Sequence, residues 1–367
     1  MTHQLRYGII GAGSMGREHI ENIQIMGGAT VTAICDPFEG SRQAALSMAP
    51  DAAVFLDHRA LLDSGLVDAV VIATPNDTHA TVLKDALATD IAVFIEKPLA
   101  TKIEDCKEIV EWDSKRTALT WMGLEYRFMP PVAEVISRAK DGQVGRIHQV
   151  SIREHREPFY PKIDNWNRFA ERTGGTLVEK CCHYFNLMDL IVGESPVQVY
   201  ASGNQDVNHL DEAYDGRSAN MIDNAFVILD YANGTRAMLD LCMFGEGSFD
   251  KEIVTIVGDE GKLESFLPSQ NIRYSRRADW GRKSGWDSAA GTGRGVELKQ
   301  VIDRSIKYLG HHYGASYIEH VKFRDAVINN SAPEVTLQDG LMSVAVGLAA
   351  HKSINEGRVV KLNEILN

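Results

Sequence analysis

The chain holds 367 residues, 44% of them hydrophobic and 24% charged, with a formal net charge of −12. This is a globular composition, long enough for two domains, and its sign is wrong for a general nucleic-acid or acidic-membrane binder. No stretch approaches the roughly 18–20 unbroken apolar residues of a membrane span. The opening MTHQLRYGIIGAG reaches glycines too soon for a secretory signal. Five cysteines, scattered apart from Cys181 and Cys182, argue against a disulfide framework. The expectation is a soluble protein of a reducing cytoplasm.

In chain order, LRYGII (5–10) reads as a short buried strand running into GAGSMG, and a helix follows from about Met15 to Met26. ATVTAICD, ending at Asp36, is a second strand. The glycines have separate tasks. Gly11 permits a tight turn, Gly13 lets backbone approach a pyrophosphate, and Gly16 allows close helix–strand packing. Ser14 and Met15 lie at the helix N-terminus, whose free N–H groups suit an anion. Asp36 stands about 20 residues on, where a carboxylate accepts from ribose hydroxyls and repels a 2′-phosphate. NAD is therefore favoured over NADP, and the nearby Arg42 weakens that preference.

The alternation continues through strands at 52–55, 68–74, 91–98 and 118–123, separated by helices at HRALLDSG, about Thr78 to Ala88, and Ile103 to Lys115. Continuous apolar strands between amphipathic helices mean a parallel sheet covered on both faces, a doubly wound nucleotide-binding fold. Ligands of such sheets bind at the carboxyl ends of the strands. The glycine turn, Asp36, Thr74-Pro75-Asn76 and Glu96-Lys97-Pro98 all fall there. Lys97 stands out, because a charge beside a buried strand costs free energy unless it has a partner. The alternative is a lysine that snorkels to solvent. His79 either packs the following helix or touches cofactor.

GAGSMG with Asp36, ATPNDTH, EKPLA, GLEYRF and a later GG…H segment together resemble the glucose–fructose oxidoreductase/inositol dehydrogenase (Gfo/Idh/MocA) family, in order over essentially the whole chain. The resemblance implies a Rossmann domain, placed at 1–124, followed by an α/β domain with a large, mostly antiparallel sheet, placed at 125–367. It implies NAD(P)-dependent chemistry at a hydroxyl of a sugar, polyol or related compound. It also implies dimers or tetramers associating through the outer face of that sheet. The family's catalytic lysine transfers to Lys97 and its histidine to His183. Its aspartate, four residues before the histidine, corresponds to Glu179, a carboxylate one methylene longer. A glycine usual between the two is replaced by Cys181.

Beyond Arg127 a helix is read at about 132–140 and strands at 145–157, 197–204, 224–244 and 251–265. The NG at 233–234 and DEG at 259–261 mark hairpin turns. Residues 269–294 read as a long loop or arm, and 337–358 as an amphipathic helix closed by Gly357. REHREPFYPKIDNWNRFAER (153–172) is basic and aromatic. Its Arg153, His155, Arg156, Lys162, Trp166 and Arg168 suit a sugar wall, where rings stack on pyranose faces and cations bind hydroxyls or an anionic substituent. The other reading is a solvated loop whose charges pair locally. Tyr126 and Arg127, after the sixth strand, are placed at the mouth. IRYSRRADWGRK (272–283) reads as a surface or oligomer-contact loop.

GGTLVEKCCHYFNLMD (174–189) concentrates reactive groups. A helix over 176–190 puts Glu179 and His183 on one face at i and i+4, with Lys180 off that face. A metal site needs three or four converging ligands, and no nearby CxxC or HxxxH completes the pair. His311 and His312 can contribute only through long-range folding. The cysteines lack CxxC spacing and read as small buried hydrophobes. As a dehydrogenase, His183 accepts the hydroxyl proton, Lys97 hydrogen-bonds the same oxygen, and Glu179 orients either of them or binds a neighbouring hydroxyl. The competing functions are an NAD-dependent glycosidase, using transient C3 oxidation and elimination on an anionic glycoside, and a non-catalytic NAD-sensing regulator.

Overall fold

Two sheets organise the chain, and the burial of their strands explains the form of each. The computed structural model describes residues 4–280 and 295–367. The first sheet alternates with helices: β1 (Leu5–Ile10), α1 (Ser14–Met26), β2 (Ala29–Cys35), α2 (Glu39–Met48), β3 (Ala53–Phe55), α3 (His58–Leu62), β4 (Ala69–Ile72), α4 (His79–Leu87), β5 (Ala92–Glu96), α5 (Ile103–Asp113) and β6 (Thr120–Gly123). Its strands are parallel in the order β3-β2-β1-β4-β5-β6. Every residue of β4 and β5 is buried, as expected for strands covered on both faces. Sequence reading left α2 unassigned. Only Ser41 and Ala45 of it are buried, so it carries almost no apolar stripe to read.

The second half contains α6 (Pro130–Lys140), β7 (Ile147–His155), α7 (Ala170–Thr173), α8 (Thr176–Glu179), α9 (Cys182–Val192) and β8 (Pro196–Asn204). A small ribbon, β9 (Ala213–Tyr214) with β10 (Arg217–Ser218), precedes β11 (Asn224–Tyr231), β12 (Arg236–Cys242), β13 (Glu252–Gly258), β14 (Gly261–Leu267), β15 (Asn271–Arg276) and β16 (Val296–Gln300). The chain closes with α10 (Ala315–Asn329), α11 (Leu337–Glu356), β17 (Val360–Lys361) and α12 (Asn363–Leu366). Nine strands order as β16-β15-β14-β13-β7-β12-β11-β8-β17, antiparallel except for the parallel pair β7–β12. Residues 271–276, expected within a loop, pair with β14 and extend the sheet. The part of that expected arm at 281–294 lies outside the described residues.

Side chains alternate across this sheet. Val150, Ile152, Val227, Leu229, Leu239, Val254 and Ile256 are buried on the helix side. On the other face Tyr200, Ile228 and Met238 stand in register across β8, β11 and β12, and all three are exposed with Phe226. The C-terminal helices lock the halves together. α10 packs on α1, and α11 packs on α5, α9 and β8. Trp121 Nε1, at the end of the first sheet, donates to Glu319 of α10 at 3.0 Å. Among the described residues no helix is long and apolar enough to cross a membrane.

Candidate active site

The glycine turn fits a dinucleotide through what an added Cβ would meet. At Gly11, with φ +93°, it would strike the Ala73 carbonyl oxygen at 2.5 Å; at Gly16 it would lie 2.0 Å from the Gly11 carbonyl. At Gly13 it would meet nothing within 4 Å. Gly11 and Gly16 are therefore held by the protein's own packing, whereas Gly13 faces open space at the start of α1, whose N-terminus has no side-chain cap. Asp36 Oδ2 accepts from the Ala12 N–H and Oδ1 from the Phe38 N–H, both at 2.8 Å. The carboxylate thus braces the turn while keeping lone pairs for a ribose. Arg42 Nη1 donates to the carbonyls of Asp36 and Pro37. Ser14 Oγ lies 3.1 Å from Nζ of Lys162, which reaches over from the loop after β7, and Met15 sits beside it in the first turn of α1.

At the next strand ends, Thr74 Oγ1 accepts from Thr78 Oγ1 at 2.8 Å. His79 is buried, with its ring nitrogens on the carbonyl oxygens of Pro98 (2.7 Å) and Thr74 (3.0 Å). It ties two turns together through these backbone contacts, the arrangement of a packing histidine. Glu96 is also turned inward. It meets His19 of α1 at 2.9 Å and accepts from the Lys97 N–H at 3.1 Å, so it anchors the lysine turn to the nucleotide helix instead of reaching outward. His19 in turn contacts His320 of α10 at 2.7 Å.

Lys97, preceding a cis proline, donates to the backbone oxygen of Glu179 at 3.0 Å and approaches its carboxylate at 3.5 Å. Asn76, after Pro75, donates to the other carboxylate oxygen and to the Thr173 carbonyl. The expected single helix over 176–190 is absent: α8 ends at Glu179 and α9 starts at Cys182. A side chain bonding into the i→i−4 ladder breaks a helix, and Lys97 holds the carbonyl that the His183 N–H would use. Glu179 and His183 consequently do not form a pair. Burial works against the Lys97 ammonium, but Glu179, Cys182, Glu96 and Glu125 outweigh it and hold the pKa above its ordinary value. Lys97 stays charged.

His183 is buried. Its ring stacks on Tyr126 with centroids 3.9 Å apart and planes 7° apart, and its Nδ1 faces Glu125 Oε2 at 3.7 Å. Burial, then Lys97, Lys180 and His312, push its pKa well below the ordinary value, so it is a neutral imidazole at pH 7. Cys181 and Cys182 are fully buried, and burial pushes the Cys182 thiol up to about 12. Such a thiol is not a nucleophile at neutral pH.

The profile of the oxidoreductase family's NAD-binding Rossmann fold matches residues 5–124, and that of its C-terminal alpha/beta domain matches residues 137–362. The chain belongs to the Gfo/Idh/MocA oxidoreductase family. Its cofactor is NAD. It is 26% identical over 366 residues to the myo-inositol 2-dehydrogenase of Thermotoga maritima, covering 99% of this chain and 100% of that one. It is 26% identical over 362 residues to the inositol 2-dehydrogenase of Rhizobium meliloti, covering 98% and 99%. A levoglucosan dehydrogenase solved with NADH and levoglucosan has the same fold, with a TM-score of 0.83 at 19% identity over 98% and 99% of the two chains.

In this Gfo/Idh/MocA chain, several residues of the pocket escaped sequence reading. Glu125 lies between His183 and His312, whose Nδ1 is 3.3 Å from Glu125 Oε1. Lys180, expected to point away, is buried. It pairs with Glu154 at 3.0 Å, contacts the Tyr126 hydroxyl and lies 4.8 Å from that ring's centroid. Glu252, opposite Glu154 across β13–β7, completes this cluster with Arg156, which is 3.6 Å from Glu154. Burial raises Glu252 to about 7, with Lys180 opposing. Strand alternation was the usable signal, since Glu154 falls on the same face as Val150 and Ile152. That alternation also removes Arg153 and His155 from the pocket, and His155 pairs with Asp240 at 3.1 Å on the outer face. Arg127 is held by the Glu334 carbonyl and Asn186, and Arg168 by Glu212 at 2.8 Å. Trp166 lies 6.0 Å from the Arg172 guanidinium, and Arg172 pairs with Asp77 beside Asn76. Of the expected sugar wall, Arg156 joins the buried cluster; Arg153, His155 and Arg168 do not.

Proposed function

We propose that the enzyme oxidises a hydroxyl of a sugar, sugar acid or cyclitol with NAD, and reduces the carbonyl in reverse. The observation that carries this is the placement of Lys97, held on Glu179 at the carboxyl end of β5, and of His183, buried against Tyr126, at the edge of the NAD-binding sheet, where the surroundings favour a charged lysine and a neutral imidazole. NAD, when bound, would supply the hydride acceptor for the carbinol carbon. Lys97 donates to the reacting oxygen and stabilises its developing negative charge. His183 takes the hydroxyl proton. Glu179 and Asn76 position the Lys97 ammonium. The inositol and levoglucosan dehydrogenases named above support a polyhydroxylated ring as the substrate.

Purified enzyme with NAD and a panel of neutral and acidic sugars, cyclitols and aryl glycosides tests this. NADH should accumulate with substrate. Lys97→Ala and His183→Ala should each lower turnover by at least about a hundredfold while leaving NAD affinity nearly unchanged. Near-normal turnover in either variant refutes the assignment. One observation favours a second reading, NAD-dependent glycoside cleavage. Glu179 stands beside Lys97 and apart from His183, so the site holds two separated proton acceptors, and elimination needs a second base at C2. Release of aglycone without net NADH would select that reading.

The exposed row of Tyr200, Ile228 and Met238 with Phe226 supports association of two or more copies through the outer face of the large sheet.

A further inference from the structure

Among the buried polar atoms of the pocket that lack a hydrogen-bond partner, two face each other. Glu125 Oε2 and His183 Nδ1 lie 3.7 Å apart, on side chains 4% and 2% exposed. An unsatisfied buried polar group is costly, so a small approach that joins the two is favoured. With Nδ1 facing Glu125, Nε2 lies on the opposite edge of the ring, and Tyr126 is stacked flat on the imidazole. The carboxylate the sequence pattern assigns to His183, Glu179, is taken by Lys97 and Asn76.

We propose that Glu125 and His183 work as one proton-transferring unit, with Glu125 the positioning residue that sets which nitrogen of His183 carries the proton. This rests on the reading of His183 as the base for a substrate hydroxyl. With Glu125 ionised, Nδ1–H donates to it and the Nε2 lone pair is free. When Nε2 takes the hydroxyl proton, the Nδ1 proton crosses to Glu125, so one N–H bond forms, one breaks, and no buried imidazolium is left. On product release Nε2 yields its proton to water and Nδ1 retakes the proton from Glu125. In carbonyl reduction the unit starts with both protons, and Nε2–H is the acid.

The groups facing Glu125 are Glu96 and Lys97 at the end of β5, Glu18 on α1, His183 on α9, His312 before α10 and Glu319 on α10. Burial, then Glu96, raise Glu125 to about 8 against the pull of Lys97. Below that pH the unit carries two protons, and above it one. Oxidation should therefore rise with pH up to about 8 and then level, while reduction falls above it.

Two measurements on the NAD-bound enzyme test the unit. With myo-inositol as the rate probe, Glu125→Gln should lower the oxidative kcat by about a hundredfold with little change in KM. It should also abolish the inflection near pH 8 and convert a curved proton inventory, from two protons moving together, into a linear one. In ¹⁵N spectra without substrate, His183, assigned by difference from His183→Asn, should change its protonated nitrogen near pH 8 in the native enzyme and not in Glu125→Gln. The second measurement needs no turnover, so it decides the unit whatever the substrate proves to be. A His183 tautomer that ignores pH between 6.5 and 9.5, or a Glu125→Gln enzyme that keeps the native pH profile, overturns the proposal.

Discussion

The nucleotide end and the His183 pocket lie on either side of the Lys97 turn, and they are assembled in opposite ways. The nucleotide end is mostly backbone: a glycine turn, a helix N-terminus and Asp36, all within one β-α-β unit, with few side chains involved. The pocket is mostly side chain. Glu125, Glu154, Glu252 and His312 come from separate segments, join Lys180 and His183 of a further one, and bury several charges together. A backbone site should be sensitive to where a Cβ can fit. A side-chain site should be sensitive to charge balance, because a buried ion left alone has no water to solvate it.

The largest expected effect lies in the pocket. Lys180→Ala would leave Glu154 and Glu252 opposed across two strands with their main cation removed, at a cost of about 3–5 kcal/mol in stability. Lys180→Met with Glu154→Gln should recover most of it, since neither partner is then an unpaired ion. Chemical denaturation of the two variants beside the native protein measures this. Equal stability of Lys180→Ala and the native protein would mean the cluster is solvated after all.

Next in size is Gly16→Ala at the nucleotide end. The new methyl would sit 2.0 Å from a backbone oxygen, which cannot swing aside, so α1 must move at a cost of about 1–3 kcal/mol or more. Gly13→Ala has open space and should fold normally, losing NAD affinity alone. Thermal unfolding without cofactor and NAD titration separate the two. If both variants lose only affinity, Gly16 serves the ligand and not the packing.

The same contrast decides what could be read from sequence. The β-α-β order, the glycine spacing, Asp36 and Lys97 are local or lie at strand ends, and the first sheet and the inner strands of the second were legible from periodicity, whereas β15 at 271–276 was not. The Glu179–His183 relation was misread because helix spacing assumes an unbroken ladder, and the break comes from Lys97, which is 82 residues away in the chain. Glu125 sat unremarked in GLEYRF because its role depends on His183 and His312, neither of which is near it in sequence. The residues 153–168 were misjudged where composition was used in place of strand alternation.

Asp36→Asn tests how far the backbone site leans on one side chain. The amide oxygen can still accept one of the two N–H groups, so the turn should survive. NAD affinity should fall about tenfold, with the preference over NADP reduced. Isothermal titration with both cofactors reads this, and an unchanged NAD/NADP ratio would move the discrimination to Arg42 or elsewhere.

The smallest effect falls on a side chain that reaches from the second half of the chain to the nucleotide end. Lys162 comes from the second domain's loop, yet its Nζ rests 3.1 Å from Ser14 Oγ at the head of α1. Burial lowers its pKa, with Glu179 opposing and Lys97 and Arg17 adding to the depression, so the ammonium sits where a diphosphate would relieve it. Most of the anion's stabilisation already comes from the helix N-terminus, which leaves Lys162 a supplement in a partly wet position. Lys162→Ala should weaken NAD about threefold to tenfold at low salt and less at high salt, with kcat unchanged. If affinity does not change at any ionic strength, Lys162 only fastens the loop to the glycine turn. Cofactor affinity would then owe nothing to that loop.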